Sequence, residues 1–164
     1  MPLTPEQLQT LKADILANPA VQQWITPERR DDLIAAYYNE PASPAFTVWR
    51  TSISKDEVYG NGFTWAQIDN VNEPRWRIWR ELFDNDARTM NPSKTNVRQG
   101  VAEVWTGTAA KELVRDYVLG KCKRTVNRAE RLFVTGAGTG VTPGLMGWEG
   151  TVDTNLISSL LNEV

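Results

Sequence analysis

The chain has 164 residues, 41% hydrophobic and 23% charged, which is the composition of an ordinary globular protein with one domain, or one domain and an arm. It has no histidine, which excludes the usual catalytic triads, the commonest general base and most zinc sites. No apolar run approaches the roughly 18 residues of a membrane span, so we expect no contact with a membrane.

The formal net charge of −2 is unevenly distributed along the chain. Residues 1–73 hold 5 Lys/Arg against 10 Asp/Glu, residues 74–131 hold 13 against 7, and residues 132–164 hold none against 3. A basic middle between two acidic ends can meet an anionic surface, or it can meet the acidic part of another copy of the same chain.

Two short helices are predicted at the start of the chain. The first begins at the capping box Thr4-Pro5-Glu6-Gln7 and ends at Asn18-Pro19. The second is predicted from Thr26-Pro27-Glu28 and ends before Asn39. Helices of this length depend on tertiary packing for their stability, so both are expected to pack on the rest of the domain.

The next segment gives weaker signals. Ser43-Pro44 has the cap-then-proline order of a helix start, which favours a helix over residues 45–49. The alternative is a strand, because residues 46–48 are aromatic or β-branched. Two further capping boxes, Ser54 with Glu57 and Thr64 with Gln67, predict short helical turns.

A further helix is predicted from Asn72-Glu73-Pro74, with tryptophans and arginines interleaved along it. The aromatic residues are Trp76, Trp79 and Phe83, and the arginines between them are Arg75, Arg77 and Arg80. Their spacing of three and four predicts that the aromatic residues pack in the core while the arginines stay solvated. The alternative is an Arg/Trp surface for a nucleic acid or a partner chain.

The longest helical region runs from Asn91 to Phe133, as two helices joined at Thr106-Gly107-Thr108. The first begins at Asn91-Pro92 and ends at Trp105. The second is predicted over about 25 residues, roughly 37 Å, up to Phe133. Its apolar positions are Ala110, Val114, Val118, Cys122, Val126, Ala129 and Phe133. We expect this pair to be the centre of the fold, with Trp105 packed in the core.

A different face of the second predicted helix is basic. It carries Lys121, Arg124, Arg128 and Arg131. These side chains are interpreted either as a solvated face near a helix C-terminus, as contacts to a nucleic-acid backbone, or as contacts to acidic residues of a neighbouring copy. The acidic overall balance favours the neighbouring copy over nucleic acid. We therefore predict contacts between subunits, or with DNA in a channel, at these four residues.

After Phe133 the sequence changes character. Residues 134–150 are rich in glycine and lack helical periodicity, which predicts an extended arm, and residues 152–164 regain the pattern of a short helix. We expect a mainly α fold, with a helical bundle domain at 1–133 that folds without the arm at 134–164. The arm is expected to dock on a partner. The predicted docking residues are Leu145, Met146, Trp148, Leu156, Ile157, Leu160 and Leu161.

Two motifs suggest chemistry and are interpreted as structural. Residues 136–140 follow a predicted helix with the spacing G-x-G-x-G and lack the Lys-Ser/Thr of a phosphate-binding loop. Asp84 and Asp86 lie two residues apart on a helix end and do not face each other, so no metal site is predicted there. We expect no catalytic residue, no cofactor and no enzyme activity.

Three stretches carry a family resemblance. They are ASPAFTVWRTSIS at 42–54, Gly62-Phe63-Thr64-Trp65, and NPSKTNVRQGVAEVWTGTA at 91–109. They resemble small structural proteins encoded among the head and tail genes of long-tailed bacteriophages. In size and helical content the chain is most similar to the head-to-tail connector, or adaptor, proteins of that group.

The resemblance implies a virion protein that assembles in the bacterial cytoplasm. Proteins of this family form a closed ring, a dodecamer by the same resemblance, beneath the portal, and they continue the DNA channel towards the next neck or tail protein. The implied partners are therefore other copies of the chain, the portal, the next neck or tail protein and, non-specifically, DNA. Two alternatives stay open: a capsid-decorating, head-stabilising protein, and a DNA-binding regulator.

Overall fold

A computed structural model describes residues 2–162 of the chain. Within those residues about half of the chain is helical and the strands are short, so the mainly α prediction is confirmed. The residues form two compact units. The first unit comprises the described residues up to Val48 and those from Thr125 onward, and the second unit comprises Trp49–Arg124.

The α-helices, in chain order, are α1 (Pro5–Ala17), α2 (Pro19–Gln22), α3 (Asp31–Asn39), α4 (Lys55–Val58), α5 (Glu73–Glu81), α6 (Thr95–Val104), α7 (Ala109–Lys121), α8 (Arg128–Arg131) and α9 (Thr154–Asn162). A 3₁₀ helix covers Trp65–Asn70. The strands are β1 (Thr47–Trp49), β2 (Ile53–Ser54), β3 (Thr89–Met90), β4 (Lys123–Thr125), β5 (Val134–Thr135) and β6 (Leu145–Met146). Two antiparallel pairs place Ile53 opposite Met90 and Val134 opposite Met146.

Helix α1 confirms its predicted capping box. The Thr4 hydroxyl accepts a hydrogen bond from the Gln7 backbone N–H, and the Gln7 side chain accepts one from the Thr4 N–H at 2.9 Å. Leu11 and Ile15 are fully buried in a cluster formed with residues of α3 and α9. This cluster is the main core of the first unit.

The predicted start of the second helix is wrong. Residues 23–25 form a turn and residues 26–28 a bend, and α3 begins only at Asp31. A backbone hydrogen bond of 2.8 Å from the Arg30 N–H to the Trp24 carbonyl closes this turn segment. The two acidic residues of the first turn of α3, Asp31 and Asp32, are favourable at the positive end of the helix dipole.

The helix preferred over residues 45–49 is also wrong, and strand β1 is found there. The Thr47 N–H donates to the Gly138 carbonyl at 2.7 Å, and the Thr47 carbonyl accepts from the Gly144 N–H at 2.9 Å. These non-local partners satisfy the backbone groups that a helix would have satisfied internally, and the β-branched residues suit the extended form.

The second unit has a core rich in aromatic side chains. Helix α5 begins, as predicted, after Asn72, whose side chain accepts a hydrogen bond from the Arg75 N–H. Trp79 and Trp105 are fully buried with ring centroids 5.4 Å apart at 81°, which confirms their assignment to the core. Trp76 is partly buried against the same cluster.

One of the two predicted capping boxes of this unit is formed. Ser54 accepts from the Glu57 N–H and the Glu57 carboxylate accepts from the Ser54 N–H, which starts α4. Thr64 makes no capping hydrogen bond, and the segment after it is the 3₁₀ helix. The second box is therefore wrong as a capping motif, although a helical turn does follow it.

The predicted pair of central helices is found, but its first helix begins at Thr95 and not at Asn91-Pro92. Helix α6 is followed by α7, and the Thr108 side chain caps α7 by accepting from the Lys111 N–H. The second helix does not reach Phe133. It ends at Lys121, because the carbonyl of the next residue, Cys122, accepts from the Arg50 N–H at 2.8 Å and strand β4 begins at Lys123.

The predicted domain boundary at residue 133 does not coincide with the compact units. Residues from Thr125 onward, including those beyond 133, belong with the first unit. Trp148 and Val152 are buried in the same cluster as α1 and α3. The side chain of Asn39 on α3 donates to the Val152 carbonyl at 2.8 Å and accepts from its N–H at 2.9 Å. The glycine-rich segment is therefore packed on the first unit rather than extended from it.

Candidate contact surfaces

The four basic residues predicted to mark a contact surface do not lie on one helix. Lys121 is the last residue of α7, Arg124 lies in β4, and the other two, Arg128 and Arg131, lie in α8. Lys121 and Arg124 belong to the second unit, whereas Arg128 and Arg131 belong to the first. The single basic helical face predicted from the sequence is therefore wrong, because α7 ends where that face would begin.

Arg128 is engaged within the first unit. Its Nη1 donates to the Glu40 carboxylate at 2.8 Å and to the Tyr37 carbonyl at 3.1 Å, and its guanidinium lies 3.9 Å from the centroid of the Tyr37 ring. These contacts hold α8 against α3. Arg128 thus stabilises the first unit, whatever other contact it makes.

Arg131 lies over an aromatic ring and lines a small cleft. Its guanidinium carbon is 4.1 Å from the centroid of the Phe46 ring. The cleft has a volume of about 260 Å³ and is also lined by Asp14, Tyr38 and Arg128. The Tyr38 hydroxyl donates to the Asp14 carboxylate, and burial raises the pKa of Tyr38 above its usual value. Arg131 is exposed whereas Arg128 is half-buried, so Arg131 is the one of these two arginines that is available to a partner.

Most of the residues predicted to dock on a partner have an intrachain contact. Trp148, Ile157, Leu160 and Leu161 are buried in the core of the first unit, and Leu156 packs against that core. Met146 packs against a smaller cluster around Val48, and Leu145 is 45% exposed. Docking of α9 on a partner through its apolar face would require the helix to leave this packing, and Leu145 needs no such rearrangement.

A cleft on the second unit is lined by basic side chains from separate segments of the chain, which the sequence did not predict to lie together. It has a volume of about 660 Å³ and lies beside the end of α5. We call this site the basic cleft. Its cationic side chains are Lys55, Arg77, Arg80 and Arg88. Glu81 and Asp84 line it as well.

Three segments build the basic cleft, and the first residue of α4, Lys55, is one of its cations. Arg77, Arg80, Glu81 and Asp84 follow one another at spacings of three, one and three, so the turns at the end of α5 carry them on one side. The loop after α5 supplies Arg88, whose carbonyl accepts from the Lys55 N–H at 3.0 Å. Arg88 was missed because its sequence neighbourhood predicts only a solvated loop.

The arginines of the basic cleft differ in their partners. Arg80 pairs with the Glu73 carboxylate on α5. Within residues 2–162, the guanidinium groups of Arg77 and Arg88 make no hydrogen bond or ion pair. Both are exposed, and Arg88 has a φ of 50°, in the left-handed region that non-glycine residues rarely adopt. The cleft therefore presents two arginines without an anionic partner in the described chain.

Exposed apolar side chains also occur on the second unit. Trp65 is 56% exposed and Leu113 is 71% exposed. Trp65 contacts Tyr59 and Phe63, with ring centroids 4.8 and 5.1 Å away. Isolated exposed apolar residues are common on soluble proteins, so these two alone do not define an interface.

The single cysteine, Cys122, is fully buried in the second unit. Burial raises the pKa of the Cys122 thiol from 9.0 to about 12, so the thiol stays protonated near neutral pH. Among the described residues, no three histidine, cysteine or acidic side chains come together as ligands for a metal ion. No helix in the described part of the chain is long and apolar enough to cross a bilayer.

No protein-family model, no curated protein and no solved structure matches this chain.

Proposed function

We propose that this chain is a structural protein of a bacteriophage virion. In this proposal it is a head-to-tail connector that assembles as a closed ring between the portal and the tail and continues the DNA channel. Its partners are other copies of itself, the portal, the next neck or tail protein, and the DNA that passes through. The role is structural and involves no catalysis.

The observation that carries the proposal is the opposite charge of the two compact units. The first unit holds 5 Lys/Arg against 10 Asp/Glu, and the second holds 13 against 10. A ring of identical subunits needs two different and complementary surfaces on every copy, because each interface joins one surface to the other. An acidic unit and a basic unit in one chain meet that requirement.

The stretches that resemble the connector family also support the proposal. Phe63, from the stretch at 62–65, packs edge-on against Trp105, from the stretch at 91–109, with centroids 5.9 Å apart at 78°. The stretches at 62–65 and 91–109 therefore both supply residues to the core of the second unit.

The alternatives depend on features that have other uses in this fold. A head-decorating protein would use residues 134–162 as a staple, and these residues pack on the first unit. A DNA-binding regulator would use the four basic residues as one surface, and one of them, Arg128, is already engaged with Glu40 and Tyr37. A ring that joins the acidic unit of one copy to the basic unit of the next requires no rearrangement of residues 134–162.

Negative-stain images of the purified protein test the proposal. Closed rings are expected. Monomers or trimers that bind only to expanded heads would favour decoration instead. Tight binding to duplex DNA at about 150 mM salt, with a steep salt dependence and without rings, would favour the regulator.

A further inference from the structure

We infer that the basic cleft is the surface through which one copy of the chain binds carboxylates of the first unit of a neighbouring copy. The inference rests on the proposed function in one respect, which is that the occupant is another copy of the same chain. It goes further by naming the cleft and the kind of side chain that enters it.

The cleft has donors that nothing in the described chain satisfies. Arg77 and Arg88 each present a planar guanidinium with five N–H donors, and neither has an ion pair or hydrogen bond within residues 2–162. Arginine is enriched where protein surfaces meet, because its fork can hold a carboxylate with two hydrogen bonds. Two such residues in one cleft of about 660 Å³ provide a site for acidic side chains.

The signs of the lining charges favour a protein partner over a nucleic acid. Glu81 and Asp84 lie in the same cleft and also make no ion pair within the described residues. A phosphate backbone would meet these carboxylates with repulsion, whereas a protein surface can offer cations to them. The sequence pI of about 5.3 also lies far from the basic values typical of nucleic-acid-binding domains.

The chain itself carries the complementary surface. Asp/Glu exceed Lys/Arg by 5 in the first unit. Among its carboxylates, Glu28 is exposed and in no ion pair of the described chain. Attraction between an acidic unit and a basic cleft steers association and fixes orientation, and salt weakens it.

Charge reversal tests the inference on the full-length chain. The variant carries Arg77→Glu and Arg88→Glu, and the matched control carries Lys94→Glu and Lys111→Glu, which change the same charge on the same unit outside the cleft. Sedimentation velocity and negative-stain images should show assemblies for the wild type and the control and their loss in the cleft variant. The wild-type assemblies should weaken between about 0.1 and about 0.5 M NaCl.

The fold of the variants is checked separately. Arg77 and Arg88 are exposed and form no pair that the substitutions would break, so unfolding temperatures by circular dichroism should stay close to the wild type. If the cleft variant with glutamates unfolds, Arg77→Ala with Arg88→Gly provides the same test without introducing new charges.

Zero-length carbodiimide cross-linking identifies which carboxylates enter the basic cleft. Lys55 lines the cleft, and this reagent can join its amine to a neighbouring carboxylate. Copies labelled with ¹⁴N and ¹⁵N are mixed, cross-linked and digested. A mixed-isotope peptide pair joining Lys55 to an acidic residue before Val48 or after Arg124 is expected. Links from Lys55 that occur only within one copy, or only to acidic residues of the second unit, would overturn the inference.

The outcomes separate this inference from the proposed function. If the wild type forms rings and the cleft variant forms them as well, the inference is overturned and the connector proposal stays in place. Salt-sensitive assemblies that are lost in the cleft variant but never close into rings support the inference and count against the connector. A wild type that stays monomeric at every salt concentration overturns both.

Discussion

Gly138 lies against the ring of Phe46 with no room for a side chain. A Cβ on Gly138 would overlap the ring atom Cε2, and one on Gly144 would come within 2.7 Å of Cε1. Gly138 also has a φ of +68°, which glycine adopts without strain. The glycines of this segment therefore allow close packing around Phe46, and their number does not indicate flexibility.

The first prediction concerns this contact. We expect Gly138→Ala to lower the free energy of unfolding by about 3 kcal/mol, because it adds overpacking and left-handed strain together. Gly140→Ala is the control, since a Cβ at Gly140 would meet nothing within 4 Å. Urea unfolding followed by circular dichroism measures both. Equal stability of the two variants would show that the segment is not packed on Phe46.

The second prediction concerns residues 134–164. Their deletion removes Trp148, Val152 and the buried face of α9 from the core of the first unit. We expect the truncated chain to lose the cooperative unfolding and the near-ultraviolet signal of that unit, whereas the sequence pattern predicts that residues 1–133 fold alone. A truncated chain with wild-type unfolding behaviour would restore the interpretation of the segment as an independent arm.

The sequence predicted local features whose cause is local. The capping boxes at Thr4 and Ser54, and the caps at Asn72 and Thr108, are formed because each depends on a side chain and a backbone group within three residues. The burial of Val118, Cys122, Val126 and Ala129 was also predicted. These four residues are buried in three different clusters. The apolar pattern therefore predicted correctly that they are buried, but it did not predict which helix or strand contains each of them.

The features that the sequence did not predict depend on contacts between distant segments. Residues 45–49 are extended because Gly138 and Gly144 supply hydrogen bonds from almost a hundred residues away. The basic cleft combines Lys55 with Arg77 and Arg88 from separate segments. A periodic pattern within one helix carries no information about either arrangement, and the short strands offer too few residues for an alternating pattern.

The third prediction concerns Arg88 and its left-handed backbone. At an ordinary loop position, glycine is no more stabilising than alanine. At a φ of 50° the order should reverse, so we expect Arg88→Gly to be more stable than Arg88→Ala by about 1 kcal/mol. Thermal unfolding of the two variants measures the difference. An alanine variant as stable as the glycine variant would show that residue 88 is free to leave the left-handed region.

The fourth prediction concerns alkaline pH. The pKa of Cys122 is raised by burial from 9.0 to about 12, so the unfolded chain releases this proton first. The stability associated with the neutral thiol is complete below pH 9 and is lost as the pH rises towards 12. Between pH 8 and about pH 10.5 we expect Cys122 to account for a loss of about 2 kcal/mol.

Cys122→Val isolates this contribution, because valine is apolar, similar in size and does not titrate. Tyr38 and Tyr59, whose pKa values burial also raises, add a loss in the same direction in both proteins. The valine variant should therefore lose about 2 kcal/mol less than the wild type over this pH range. Identical losses in urea titrations at the two pH values would show that the thiol ionises equally well in the folded chain.

We propose that the chain lies at the junction of head and tail in a virion, and immunogold electron microscopy of phage particles whose genome encodes it tests this position most directly. Antibody against the purified chain should label the junction of head and tail, at one position in each particle. Label spread over the capsid, or particles that lack the protein altogether, would contradict the connector proposal.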